Sequence, residues 1–173
     1  MRSKSIYHGK VIDVNAEWVE LPDGRACELE IVRHPGGAAA VALDDNANVC
    51  LLRQYRHAAD GWLWELPAGR IDPGEEPLAT ARRELQEEAG LRAGRWEPLG
   101  SLFSSPGIFT EVIHLFLARE LQVVAQRHEE HEVIEVHWLP FAEAVEMAGA
   151  GEIRDAKTII GLFRAQGLMN KSS

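Results

Sequence analysis

Between Pro77 and Gly90 the sequence places three glutamates, Glu84, Glu87 and Glu88, on a stretch that reads as one helix. Proline suits the first helical position and glycine the residue just past the end. At about 100° per residue, Glu84 at 0° puts Glu87 near 300° and Glu88 near 40°, so the carboxylates share an arc of about 100°. Leu78, Ala81, Leu85 and Ala89 fall between about 60° and 140° on the same wheel and form an apolar stripe beside the acids. Such a helix is anchored on one side and presents carboxylates on the neighbouring side. The default reading of three helical glutamates is a solvated acidic face. Against it, like charges at i,i+4 cost a helix about a few tenths of a kcal/mol. No lysine lies four residues on to relieve Glu84 and Glu88. Carboxylates that tolerate one another in this way usually share a hard cation such as Mg2+ or Mn2+.

The charge balance points the same way. Eighteen basic against 27 acidic residues give a net charge of −9, which argues against a nucleic-acid partner. A small anionic substrate remains compatible if divalent cations stand between the two sets of negative charge. A chain of 173 residues suits one domain, or one domain with a small appendage. No apolar run approaches the roughly 18 residues of a membrane span, and no secretory apolar region opens the sequence. A cytoplasmic protein without a membrane partner is therefore expected. Cys27 and Cys50 both lie in strand-like apolar surroundings, and two buried reduced thiols are favoured over a disulfide.

Along the chain, residues 5–33 read as strands, with residues 6–14 β-rich, 17–21 alternating, and Pro22-Asp23-Gly24 supplying a turn before residues 27–32. His34-Pro35-Gly36-Gly37 breaks the pattern and suggests a boundary, with an N-terminal β subdomain over residues 1–36 and the main domain over 37–173. Residues 38–43 and 49–53 read as a hairpin, and residues 62–66, 96–103, 113–118 and 133–139 as further strands. Helical patterns cover residues 141–148 and 155–166, the second with Asp155 as N-cap. Mixed strands with few helices point to an α/β sandwich over a regular βα alternation.

One spacing goes further. Gly69, then Glu75 after five residues, then Arg83-Glu84-Leu85-Gln86-Glu87-Glu88-Ala89-Gly90-Leu91 after seven more matches the Nudix box at every defined position. The chain thus resembles the Nudix hydrolases, in which this box forms a loop–helix–loop on an α/β/α sandwich of mixed sheets. The resemblance implies that Glu84 and Glu88 are the main metal ligands, with Glu87 and the Ala68 carbonyl as further oxygens, and Mg2+ as the metal with Mn2+ as a substitute. It implies that Arg83 and Glu75 orient the acids, Arg83 close enough to count among the catalytic residues. Gly69 and Gly90 serve backbone geometry.

Features outside the box resemble the ADP-ribose pyrophosphatase branch. They are Ser105-Pro106-Gly107 downstream of the box, the run Leu52-Arg53-Gln54-Tyr55-Arg56, the run from Trp64 to Gly69, the strand-rich N-terminus, and the acidic stretch with Glu129, Glu130 and Glu132. Arg53 and Arg56 could be surface cations. Beside the box, Arg56 is favoured as a phosphate or ribose contact, since arginine offers planar bidentate donors. The resemblance makes Arg70 and Ser105 further substrate contacts. It makes Glu130 the proton acceptor, Glu132 an added metal contact, and Glu111 a ribose contact and second candidate for the base. Glu28 and Arg33 match positions that face the nucleobase, although Cys27 stands where some relatives carry a stacking tryptophan. His114 and the other histidines read as structural or surface residues. The expected reaction is Mg-dependent hydrolysis of a nucleotide sugar at its pyrophosphate, foremost ADP-ribose to AMP and ribose 5-phosphate. GDP-mannose or another nucleoside diphosphate sugar is the alternative, and a non-catalytic nucleotide-binding protein is the reading of a different class. A homodimer exchanging its N-terminal strands is expected from the same resemblance.

Overall fold

The computed structural model describes residues 2–126 and 133–172. The chain opens with three antiparallel strands, β1 (Arg2–His8), β2 (Asp13–Glu20) and β3 (Ala26–Arg33), paired in the order β1-β2-β3. A second sheet follows, built from β4 (Gly37–Leu43), β5 (Asn48–Arg56), β6 (Gly61–Glu65), β7 (Ala68–Arg70), β8 (Leu91–Phe103), β9 (Val112–Val123) and β10 (Ile134–Pro140). Its spine runs β10-β5-β4-β9-β8, with β6 paired to β5 and β7 paired to β4. The β4–β9 pair is parallel and the other pairs are antiparallel, so the sheet is mixed. Three helices complete the chain: α1 (Pro77–Ala89), α2 (Phe141–Ala150) and α3 (Ala156–Ser172).

Strand alternation decides the layers. Every residue of β4 is buried. Ala39, Val41 and Leu43 face one side and join Leu51, Leu115, Leu117, Phe141, Ile153 and Leu162 in the larger core, under α2 and α3. Ala40 and Ala42 face the other side and meet Leu85 of α1, with Cys50, Leu91 and Ala118. Period-two alternation on a fully buried strand thus feeds two cores, and the expected α/β/α sandwich is the architecture found. Helix α1 starts and stops where the sequence marks it. Pro77 takes the first turn, and Gly90 adopts φ 65° with its N–H bonded to the Gln86 carbonyl at 3.0 Å.

The central strand is shared unequally. Strand β5 pairs with β4 only at Ala42 and Leu43, while β7 takes the other end at Gly37, Ala38 and Ala39. This split brings Ala68 and Gly69 into the sheet directly beside α1. Strand β7 was not legible beforehand, because three residues of loop-like composition pair through a partner some thirty positions away. The β-rich run over residues 6–14 is broken by a turn in which Gly9 N–H meets the Ile12 carbonyl at 3.0 Å. Helix α3 runs through Gly167 to Ser172, past its expected end at residue 166. Cys50 is buried and Cys27 half-buried, and both are free thiols. Among the described residues no helix is long and apolar enough to cross a membrane.

These layers predict where truncation hurts. Leu117→Ala, at a fully buried side chain, is expected to cost about 2–5 kcal/mol. Val123→Ala, 88% exposed at the end of the same strand, should change stability by less than about 0.5 kcal/mol. Urea unfolding of the two variants against the parent checks the contrast.

Candidate active site

The loop–helix segment from β7 through α1 is held together by one side chain, Arg83. Its Nε and Nη2 donate to the two oxygens of Glu75 at 3.1 and 3.0 Å, and Nη2 also reaches the Arg70 carbonyl at 3.0 Å. Its Nη1 donates to Glu84 Oε1 at 2.6 Å and Glu87 Oε2 at 3.0 Å. The repulsion expected among the helix acids is therefore relieved by an arginine within the box, four residues before Glu87. The surrounding acids raise the Arg83 pKa, mainly through its bond to Glu75, so the guanidinium stays charged. Glu75 in turn is held down to about 2, chiefly by Arg83 with help from the Thr80 hydroxyl. Thr80 Oγ1 donates to Glu75 Oε2 at 2.8 Å.

Glu84 and Glu88 are both buried. Glu88 Oε2 accepts the Ala68 N–H at 2.8 Å, which ties the last acid of the helix to β7. A Cβ added at Gly69 would stand 1.9 Å from Glu84 Oε1, so only glycine lets the backbone pass this close to the carboxylate. Carboxylate and carbonyl oxygens are the donors that hard divalent cations take, and Glu84, Glu87, Glu88 and Ala68 line a common cavity. The chemistry of this donor set fits such an ion. Among the described residues, however, no three His, Cys, Asp or Glu side chains converge as a formed metal centre. Arg83 lies between Glu84 and Glu87 instead.

The cavity measures about 880 Å³ and gathers cations as well as acids. Arg56, Arg70 and Glu111 are on its wall. Arg56 is held bidentately by Glu65, with Nε–Oε1 2.7 Å and Nη2–Oε2 2.9 Å. Glu65 also accepts from Lys157 Nζ, and Lys157 lies 3.1 Å from Asp155 Oδ1. Burial alone would raise the Glu65 carboxyl, but Arg56 and Lys157 outweigh it and hold it at about 2. Asp155 caps α3 as expected, with Oδ2 accepting the Thr158 N–H at 3.0 Å.

Other sequence candidates lie elsewhere. Glu28 is exposed on β3, opposite Trp18. Arg33 is engaged by Glu17 at 2.6–3.0 Å and lines a smaller adjoining pocket. Ser104, and not Ser105, is on the cavity wall. The Ser105 carbonyl instead accepts the N–H groups of Ile108 and Phe109, closing a turn. Glu130 and Glu132 lie outside the described residues. Residues the sequence did not single out complete the wall, notably Lys10, His34 and Lys157. The Glu65–Lys157 contact spans 92 positions, and no local pattern announces it. His34 carries a hint only in its place beside the Pro35-Gly36 break.

The depressed Glu75 pKa has a sign. Its contribution to stability is present above the unfolded value of about 4.3 and is lost as pH falls through the folded value. Glu75→Gln is expected to destabilise the protein at pH 7 and to cost progressively less as pH falls from about 5 to about 2. Denaturant unfolding across that range checks it, and a pH-independent difference would overturn the assignment.

Comparison with known proteins agrees with this geometry. The family model described as NUDIX domain matches residues 33–160. An ADP-ribose pyrophosphatase of Bacillus subtilis (strain 168) is 40% identical over 157 residues, covering 90% of this chain and 85% of that protein. A GDP-mannose pyrophosphatase of Cronobacter sakazakii (strain ATCC BAA-894) is 41% identical over 155 residues, covering 79% of this chain and 80% of its own. A solved structure, the crystal structure of an ADP compounds hydrolase, superposes with a TM-score of 0.85. It covers all of this chain and 94% of its own at 21% identity, a likeness of fold. The family match spans β4, β7, α1 and the whole acid cluster, and the chain belongs to the NUDIX domain family.

Proposed function

We propose that the chain hydrolyses the pyrophosphate of a nucleoside diphosphate sugar, foremost ADP-ribose to AMP and ribose 5-phosphate. The observation that carries this reading is one cavity holding both the Arg83-ordered acids of α1 and a separate set of cations, Arg56, Arg70 and Lys157. An acid wall alone would suit a metal, and a basic wall alone an anion. Their meeting suits a polyphosphate bound partly through cations of its own. Relatives named for ADP-ribose and for GDP-mannose hydrolysis support the reaction class. The full set of box acids speaks against a binding protein without activity.

In this reading Glu84, Glu87, Glu88 and the Ala68 carbonyl would hold a divalent ion, Mg2+ with Mn2+ as substitute, and Glu132 would add to them. Such an ion would supply charge neutralisation at the pyrophosphate and Lewis acidity towards the attacking water. Arg83 keeps Glu84 and Glu87 aimed. Arg56 and Arg70 contact phosphate or ribose oxygens, Arg56 with donors that Glu65 leaves unused. Ser105 would act on the sugar side only through the turn its carbonyl closes, since Ser104 is the serine on the cavity wall. Glu111 accepts from hydroxyls of the terminal sugar, and Glu130 takes the proton of the attacking water, with Glu111 as the alternative base. Glu28 and Arg33 are assigned to the nucleobase. GDP-mannose is the second reading, supported by the relative named for it at 41% identity and by Cys27 standing where some relatives carry a tryptophan that stacks on the base.

The N-terminal strands supply the support for a dimer. All of β1 is exposed, and Ile6, Tyr7, Trp18 and Leu29 are exposed on this sheet. We assign residues 1–36 as an exchanged β subdomain and 37–173 as the hydrolase domain. The two free thiols support a cytoplasmic setting. Light scattering should give twice the monomer mass, and a monomer would remove the exchange.

For the reaction, purified protein with Mg2+ should release AMP from ADP-ribose. Glu84→Gln and Glu88→Gln are each expected to lower kcat about 10²–10³-fold. Arg83→Gln should lower it about 10–100-fold, through misplaced acids. Chelation of the metal should abolish turnover. A tenfold or greater kcat/KM preference for GDP-mannose would replace ADP-ribose as the substrate, and no turnover of either would sink the hydrolytic reading.

A further inference from the structure

His34 is stitched to the segment that carries Glu111. Its backbone N–H donates to Thr110 Oγ1 at 3.0 Å, and the Thr110 N–H donates to the Val32 carbonyl at 3.0 Å. The ring packs on Phe109 with centroids 5.2 Å apart, and the side chain is only 10% exposed. Its Nδ1 accepts the Gly36 N–H at 3.1 Å and lies 3.3 Å from Glu111 Oε1. Gly36 is fixed in turn, with φ +95° and a would-be Cβ 2.8 Å from the Val112 carbonyl oxygen. Each imidazole nitrogen offers either one lone pair or one N–H. With Gly36 N–H on Nδ1, the ring is neutral, carries its proton on Nε2, and has no proton between Nδ1 and Glu111. The pair therefore has room for one more proton. Once it enters, Nδ1–H donates to Glu111 Oε1 and the Gly36 N–H loses its acceptor.

We propose that His34 is a positioning residue for Glu111, leaving its carboxylate available to the hydroxyls of the substrate's terminal sugar while the ring is neutral and capturing it when the ring is protonated. This rests on the assignment of the cavity to a nucleoside diphosphate sugar. Burial lowers the His34 pKa, with Glu111 pulling it up and Arg70 of β7 pushing it down. The ring is thus neutral at pH 7 and takes its proton in more acid solution. Lys10, from the turn between β1 and β2, shares the cavity wall, while Asp13 and Arg33 line the adjoining pocket that His34 also borders.

Two measurements test the pair. In imidazole ¹⁵N NMR, His34 should show the Nε2–H tautomer at pH 7 and titrate below the ordinary value of about 6.5. Glu111→Gln, by removing the negative neighbour, should lower that pKa further. An unmoved His34 titration in Glu111→Gln would overturn the pairing, and needs no turnover to be read. In kinetics, KM for whichever of ADP-ribose and GDP-mannose the parent cleaves should rise about tenfold as His34 protonates, the loss of one hydrogen bond to a charged group. The kcat should change less. His34→Asn, whose amide oxygen can accept the Gly36 N–H but does not titrate, should flatten that rise. The same rise in His34→Asn as in the parent would overturn the positioning role. If neither sugar nucleotide is cleaved, the functional reading fails and the sugar-contact role falls with it, while the NMR result still decides the pairing.

Discussion

The guanidinium of Arg83 is the interaction on which the candidate site depends, because it reconciles four carboxylate-bearing or carbonyl groups that would otherwise not share a few ångströms. Its planar fork meets Glu75 with one edge and Glu84 and Glu87 with another, and still reaches the Arg70 carbonyl. A lysine ammonium has three donors on one atom and could not serve partners spread around a plane. Arginine also keeps its proton at every working pH, and it holds Glu75 well below the usual carboxylate range. The loop between β7 and α1 is thereby fastened to the helix by charge.

The backbone contributes a second constraint. Because β5 leaves β4 after two residue pairs, the rest of β4 is open to β7, and β7 carries Ala68 and Gly69 against Glu88 and Glu84. The acids are thus set by a sheet on one side and by Arg83 on the other. From further along the chain, α3 delivers Lys157 to the buried Glu65, which already grips Arg56. A single buried carboxylate in this way aligns two cations, one carried by β5 and one by α3.

Much of this was readable in the sequence where the cause is local. Helix α1 was legible to the residue, since Pro77 and Gly90 act through their own φ preferences and the apolar stripe through helical geometry. The acid arc followed from spacing, and the place of Arg83 beside Glu84 and Glu87 from the resemblance. What escaped was non-local. Strand β7 exists through its partner, the Glu65–Lys157 contact joins residues far apart, and His34 gains its neighbours only when the segment before β4 meets the one before β9. Glu28 and Arg33 were assigned by resemblance, and in a single chain their surroundings are those of the N-terminal sheet.

The alanines of β4 set one last quantity. Ala40 and Ala42 are what the sheet offers to α1, and Leu85 reaches down to them. Side chains of one carbon let a helix ride low over a sheet, so the height at which Glu84 and Glu88 line the cavity is a matter of stacking. A bulkier pair at these two positions would jack the helix upward while leaving every acid and every arginine in the sequence. Two methyl groups thus act as the shims of the acid cluster, and the chemistry above them inherits their tolerance.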